Sequence, residues 1–309
     1  MRPIHVAGLL LLASIWGASF MFIKIMVDEM EPLAVGWVRL GGGSMLIVTV
    51  VVATGRRLSR SRTYWLNVCV ISVISSAAPL VLIATAQREI ASGLAAMLNG
   101  AMPLWVAIFS TIFLPLERLT RMKLVGLALG FAGLAVIIGP DAFDLSSGST
   151  RAQFLVVLAT TGYAGGAVFT RRRLMGVDPT TLAAAQNVVA FALLTPFVVG
   201  AGAVPNFPDL EGRTLLAAAG LAFLGQGVAI MIYYWLLSNV EATRVSVVTY
   251  LAPIAALFWG WAVLDEIPPL MAIPGLTLII AGIIIVNRRS RTALVTEEPS
   301  IPRPSGGGT

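Results

Sequence analysis

The chain has little charge. Asp, Glu, Lys and Arg make up 12% of its 309 residues, about half the share that a soluble fold carries. With 57% hydrophobic residues and a mean hydropathy of +0.88, too few polar side chains remain to cover a surface in water, so the chain belongs in a membrane. Cysteine and histidine are almost missing. Cys69 has no second cysteine to bridge, which excludes an internal disulfide and a multi-cysteine metal site; in its apolar stretch it reads as a small core residue. His5 is the only histidine, too few for a His-dependent triad or a His/Cys metal cluster. No catalytic residue, cofactor or metal site is assigned, and the chain is not read as an enzyme.

What is present is long apolar runs. They lie near His5–Met26, Pro32–Ala53, Tyr64–Ala86, Ile90–Phe113, Leu124–Ile138, Ala152–Thr170, Thr181–Val199, Leu215–Leu237, Ser246–Val263 and Met271–Val286. Each suits one crossing of about 20 residues, and none alternates as the strands of a membrane barrel do. The predicted fold class is all-α integral membrane, with ten transmembrane helices. The first run is not a removable signal, because it continues through the bulky Trp16, Phe20 and Phe22.

The basic residues fall in alternate loops. Arg56, Arg57, Arg60 and Arg62 follow span 2, Arg118, Arg121 and Lys123 follow span 4, Arg171, Arg172 and Arg173 follow span 6, and Arg288, Arg289 and Arg291 follow span 10. The other loops are mostly acidic, with Asp28, Glu29, Glu31, Asp209, Glu211, Asp265 and Glu266. The positive-inside rule then predicts both termini in the cytoplasm of a multi-pass cell (inner) membrane protein. The net charge of +6 is a topology signal, and nucleic acid is not expected as a partner. The tail, 288–309, is polar and rich in Pro and Gly, and is predicted to be cytoplasmic and disordered.

The two halves repeat. Glu117 is followed by Gly126 and Gly133 at nine and sixteen residues, and Glu266 by Gly275 and Gly282 at the same distances. Trp16, Phe22, Lys24, Pro32 and Arg39 stand 147 residues before Tyr163, Phe169, Arg171, Pro179 and Gln186. The predicted units are 5–139 and 152–287. Five spans per unit is an odd number, so the second copy would enter the membrane from the opposite face, as in inverted-repeat secondary transporters.

Trp16-Gly17-Ala18-Ser19-Phe20, Arg39 in the second span, and the fourth span from Ala91 through Pro103 to Glu117-Arg118-Leu119-Thr120 resemble the ten-helix EamA-type transporters of the drug/metabolite transporter superfamily. The resemblance covers about His5 to Asn287. It implies a carrier whose substrate path is lined by spans 1, 3, 4, 6, 8 and 9.

Polar residues at mid-membrane support the same helices, because a polar side chain in hydrocarbon is costly unless it faces protein or a wet cavity. The candidate substrate-binding residues are Trp16, Ser19, Ser76, Asn99, Tyr163, Gln226, Thr249 and Tyr250, with Arg39 nearer one face. Spans 5 and 10 have none and are expected to pack outside. Pro103 and Pro253 remove helix donors and are candidate hinges. Arg39 lies about 10 Å below the membrane face at 1.5 Å per residue and needs a partner. Either it pairs with an external carboxylate such as Glu31 or Glu89, or snorkels outward, or its partner is a substrate anion. Glu89 and Glu266 are candidates for proton uptake.

With Arg39 present and no buried acid, the expected function is secondary transport of a small neutral, zwitterionic or anionic metabolite, amino acid-like, by alternating access around a midplane cavity, with export as the direction. The alternatives are a proton-coupled drug exporter, which generally needs a buried carboxylate, and, from other classes, an integral-membrane enzyme or a channel. The expected partners are that metabolite and the lipid bilayer. The Gly126-x-x-x-Gly130 pair allows close helix approach, within a monomer or between the copies of a homodimer.

Overall fold

The computed structural model describes residues 2–114, 120–139, 147–268 and 270–287. Glu117 and the predicted tail lie outside the described residues. Ten apolar helices follow one another: α1 Pro3–Val27, α2 Pro32–Ala53, α3 Arg62–Ala86, α4 Ser92–Phe113, α5 Arg121–Ile138, α6 Gly148–Arg173, α7 Pro179–Gly200, α8 Gly212–Asn239, and the shorter α9 Val248–Leu264 and α10 Ala272–Asn287. No strand occurs among the described residues. The chain is an all-helical, multi-pass membrane protein.

The helix starts are written locally. Pro3, Pro32 and Pro179 stand in first turns, where a missing N–H costs nothing. Ser61, Thr120, Ser147 and Asp178 cap α3, α5, α6 and α7 by accepting from backbone N–H groups in the following turn. Met45, Val52, Ile112, Phe197, Leu216 and Trp261 point outward, as expected of helices whose outer surface meets hydrocarbon. Cys69 is exposed as well, so it is not the core residue its apolar neighbours suggested.

Three helices are irregular. α4 is broken between Asn99 and Met102, because Pro103 has no N–H to offer the Asn99 carbonyl one turn earlier. α3 and α8 each contain a π segment, Val73–Ala77 and Gly220–Val228. These segments occupy matching places in the two halves, since Ser75 and Gly225, and Ser76 and Gln226, stand 150 residues apart.

The packing that surrounds them is matched too. A Cβ on Gly225 would lie 2.7 Å from Ser19 Oγ, and one on Gly166 would lie 2.2 Å from Ser75 Cβ. Gly166 is the 147-residue counterpart of Ser19. Two repeat-related contacts between the halves therefore each seat a serine of the first half against a glycine of the second, with the two residue types exchanged between matching helices. α5 and α10 pack on each other at the side of the bundle through the predicted glycines: Gly126 faces the Gly282 carbonyl, and Gly133 that of Gly275.

Polar ties gather at the end of the bundle away from the termini. Lys24 Nζ donates to the Gln87 carbonyl at 2.7 Å, and Arg88 pairs with Glu31 at 3.0 Å. Glu29 accepts from the Thr214 hydroxyl and, at 2.9 Å, from the Glu211 N–H. These bonds, that of Thr214 foremost, hold the Glu29 carboxyl below its ordinary value of 4.5. A carboxylate depressed by folding contributes fully above its unfolded value and loses the contribution as pH falls through the folded one. Acidification below about pH 4.5 is therefore expected to release the α1–α2 loop from α8. Hydrogen exchange at the Glu211 amide, corrected for intrinsic rate, should lose protection in that range, and a Glu29→Ala variant showing the same acid-dependent loss would refute the assignment.

Candidate functional site

A cavity of about 300 Å³ opens at the middle of the bundle. α1 contributes Trp16, Ser19, Phe20 and Ile23; α4 contributes Ala96, Asn99, Gly100, Met102 and Pro103; α8 contributes Gly225, Gln226 and Ile230; α9 contributes Thr249, Ala252 and Pro253. Ile83 of α3, Tyr163 of α6 and Arg39 of α2 complete it. None of the lining residues comes from α5 or α10. The broken helix, the π segment of α8 and both proline sites thus converge on one space. A π turn carries one extra residue and often marks a functional site; here it holds Gln226.

Of the residues expected to meet a substrate, Trp16, Ser19, Arg39, Asn99, Tyr163, Gln226 and Thr249 line the cavity, and Pro103 and Pro253 sit at its wall. Ser76 and Tyr250 do not line it. Ser76 lies in the π segment of α3, where its hydroxyl accepts from Gln186 Nε2 at 2.8 Å. The Tyr250 hydroxyl accepts from Asn287 Nδ2 at 3.1 Å. Glu89 and Glu266 lie at the far end of the bundle and not in the cavity. A Cβ on Gly148, at the start of α6, would come 3.0 Å from Glu89 Oε2.

Glu266 has a structural partner. α4 begins at Ser92 without a side-chain cap from its own segment, and Glu266 supplies one from beyond α9: its carboxylate accepts from the Ser92 N–H at 2.9 Å, the Ser92 hydroxyl at 2.6 Å and the Gly93 N–H at 3.3 Å. An anion at a helix N-terminus satisfies donors that would otherwise be orphaned and meets the positive end of the helix dipole. Gly260 leaves the space for it, since a Cβ there would lie 2.6 Å from Glu266 Oε2. Gly260→Ala and Glu266→Ala are each expected to cost about 1 kcal/mol and to lower the detergent melting temperature equally. The double variant should be no worse than either; additive losses would show that the two act separately.

Arg39 has no acidic partner among the described residues. Glu31 is taken by Arg88, and the ion pairs of the described residues do not include Arg39, so of the alternatives for Arg39 the bond to Glu31 or Glu89 is not formed. Instead Arg39 Nε donates to Gln226 Oε1 at 3.0 Å, and Gln226 Nε2 donates to Asn187 Oδ1 at 2.6 Å. Among the described residues the two Nη groups of Arg39, the Trp16 Nε1 and the Asn99 Nδ2 have no protein acceptor, and the buried Asn99 Oδ1 has no donor. The cavity wall therefore offers the free donors of a guanidinium beside an amide whose two ends are both unpaired. Tyr163 lies within electrostatic reach of Arg39. Asn187, on a helix outside the cavity, was not anticipated; its one sequence signal is that it follows Gln186, the repeat counterpart of Arg39.

Ten packed apolar helices surround a partly open cavity whose mostly apolar wall carries a few polar side chains, an arrangement suited to a membrane transporter. The EamA-like transporter family matches the chain twice, over residues 4–139 and 150–288, and the chain belongs to that family. It is similar to the uncharacterized transporter YoaV of Bacillus subtilis (strain 168), with 23% identity over 89% of this chain and 94% of that protein. It is also similar to the uncharacterized inner membrane transporter YedA of Escherichia coli (strain K12), 26% identical over 80% and 78%. An uncharacterized transporter of Archaeoglobus fulgidus is 28% identical over 91% of this chain and 98% of its own length. A solved crystal structure, described only as that of a protein, shares the fold with a TM-score of 0.64 and 18% identity, covering 93% of this chain and 98% of its own. The protein is a membrane transporter.

Proposed function

We propose that the protein exports a small metabolite bearing a carboxylate or other anionic group, zwitterionic or anionic and amino acid-like, by alternating access around the central cavity. The observation that carries this reading is Arg39: a guanidinium in a cavity wall, fixed at Nε by Gln226, with both Nη groups free of any protein acceptor among the described residues. An unpaired charge in a membrane interior costs about 2.5–3.5 kcal/mol on insertion scales, so a site that keeps one is suited to an anion arriving from outside the protein. A guanidinium accepts a carboxylate through two parallel bonds. Trp16, Phe20 and Tyr163 offer flat apolar surface to the rest of the substrate. A cavity of about 300 Å³ limits it to the size of a single small metabolite.

Alternating access is supported by the matched halves. The π segments, the exchanged serine and glycine contacts and the two proline sites support a duplicated fold around a central site, the plan of inverted-repeat transporters; the reading keeps both termini in the cytoplasm. Among the described residues no carboxylate lines the cavity, which argues against a proton-coupled exporter of cationic drugs. Untargeted comparison of metabolites in cells and medium, with and without overexpression, tests the reading. Compounds that accumulate outside should carry an anionic group, and export confined to organic cations would overturn it.

A further inference from the structure

We propose that Asn187 is a positioning residue for the anion subsite, acting on Arg39 through Gln226 without touching the cavity; this rests on the functional reading above. Asn187 is 3% exposed, on α7, and does not line the cavity. Its Nδ2 donates to the Ala183 carbonyl at 2.8 Å, one turn back on the same helix. That carbonyl can only accept, so the bond fixes which way the Asn187 amide faces and leaves Oδ1 toward Gln226. Oδ1 then takes the Gln226 Nε2 donor at 2.6 Å. Gln226 Oε1 is thereby turned to Arg39 Nε, which it meets at 3.0 Å.

The polarity of each amide is set by the one before it. A side-chain amide has a donor end and an acceptor end of nearly equal shape, and Arg has donors only. A flipped Gln226 would present N–H to N–H. Without an acceptor at position 187, Gln226 Nε2 loses its partner and only the Arg39 Nε–H is left to select the orientation of Gln226. Holding Nε fixes the plane of the guanidinium, since the group is rigid. The two Nη groups are then aimed as a fork at one place in the cavity. Freed from Gln226, the long side chain samples other rotamers, and a carboxylate must order it on binding.

The repeat sharpens the assignment. At the repeat-related contact between the halves, Gln186 takes the place of Arg39 and Ser76 that of Gln226, 147 and 150 residues away, and the two are again joined, Gln186 Nε2 to Ser76 Oγ at 2.8 Å. That bond needs no amide orienter, because a hydroxyl both donates and accepts. Of the two repeat-related contacts, only the one that carries the charge has the additional residue.

The test uses the full-length protein in detergent, titrated calorimetrically with isocaproate, a carboxylate without an amine, and with isoamylamine, an amine of similar shape without a carboxylate. The variants are Asn187→Leu, which keeps the volume and loses the acceptor, and Asn187→Asp, which keeps the acceptor for Gln226. Isocaproate should bind the wild type, bind Asn187→Leu about tenfold more weakly and bind Asn187→Asp nearly as well as the wild type. In an Arg39→Gln background, Asn187→Leu should add no further loss, because the residue acts only through Arg39. Equal losses in Leu and Asp variants, or a full additional loss without Arg39, would reduce Asn187 to packing and overturn the proposal while leaving the anion subsite standing. Isocaproate that does not bind the wild type, or isoamylamine that binds better, would overturn the subsite itself and the proposal with it.

Discussion

Arg39→Gln is expected to weaken isocaproate binding by about thirtyfold, with isoamylamine unaffected. A hydrogen bond to a charged group contributes about 1.5–3 kcal/mol, and a bidentate guanidinium–carboxylate pair lies toward the upper part of that range; about 2 kcal/mol is a factor of roughly thirty. Glutamine is long enough to keep part of the polar lining and to bond Gln226, so the loss reads the charge and the fork, not the space. Arg39→Lys should recover only part of it. A lysine keeps the charge but is a point donor on a flexible stem, and Gln226 Oε1 would lose the Nε–H it now accepts. Calorimetry in detergent gives the binding change, and uptake into proteoliposomes should show the same factor in KM. Unchanged affinity in both variants would remove Arg39 from the binding site.

Much of this was legible in the sequence, for identifiable reasons. Hydrocarbon allows few backbone solutions, so ten apolar runs translate almost directly into ten helices. The cost of polar atoms at mid-depth made Trp16, Asn99, Tyr163 and Gln226 stand out, and all four line the cavity. Direction around the helix was harder to read. Ser76 and Gln226 occupy matching positions, yet one faces Gln186 and the other the cavity. Each lies in a π segment, where the extra residue shifts the phase of every side chain beyond it, and no composition rule announces a π turn. Tyr250 lies next to Thr249, which lines the cavity, and fails for the simpler reason that neighbours on a helix point about 100° apart.

Partners across the bundle were the least legible. A lone arginine invites pairing with the nearest loop acid, but Glu31 lies closer in space to Arg88. Glu266 stands beside Asp265 in an acidic loop, and nothing near it in the chain announces its partners; the Ser92 and Gly93 donors lie 174 and 173 residues away. Asn187 is marked in the sequence only by following Gln186. Its role depends on two other amides being in line, which only the packed helices establish.

The glycines shared by α5 and α10 are expected to give the largest stability losses in the molecule. The sequence marks them by spacing alone, nine and sixteen residues after each acid. The structure turns that spacing into contact, as backbones approach so closely that a Cβ on Gly133 would lie 2.5 Å from the Gly275 carbonyl oxygen, and one on Gly282 would lie 2.5 Å from that of Gly126. What each methyl meets is backbone, which cannot swing away as a side chain end can. Either the helices separate, losing contacts along their whole length, or they rotate and lose register. Without a hydrophobic drive between helices in lipid, that close packing is a main source of their association. Overpacking a tight interface costs about 1–3 kcal/mol per site, so Gly133→Ala with Gly282→Ala should cost about 2–6 kcal/mol. Melting in detergent should fall well below the wild type. Gly212→Ala is the control, since a Cβ there meets nothing within 4 Å. Because α5 and α10 do not line the cavity, the surviving folded fraction should bind isocaproate with unchanged affinity. A double variant that melts with the control would show that these glycines are not what holds the two helices together, and a variant that melts normally but changes oligomeric state would move the glycine stripe from the monomer to an interface between copies.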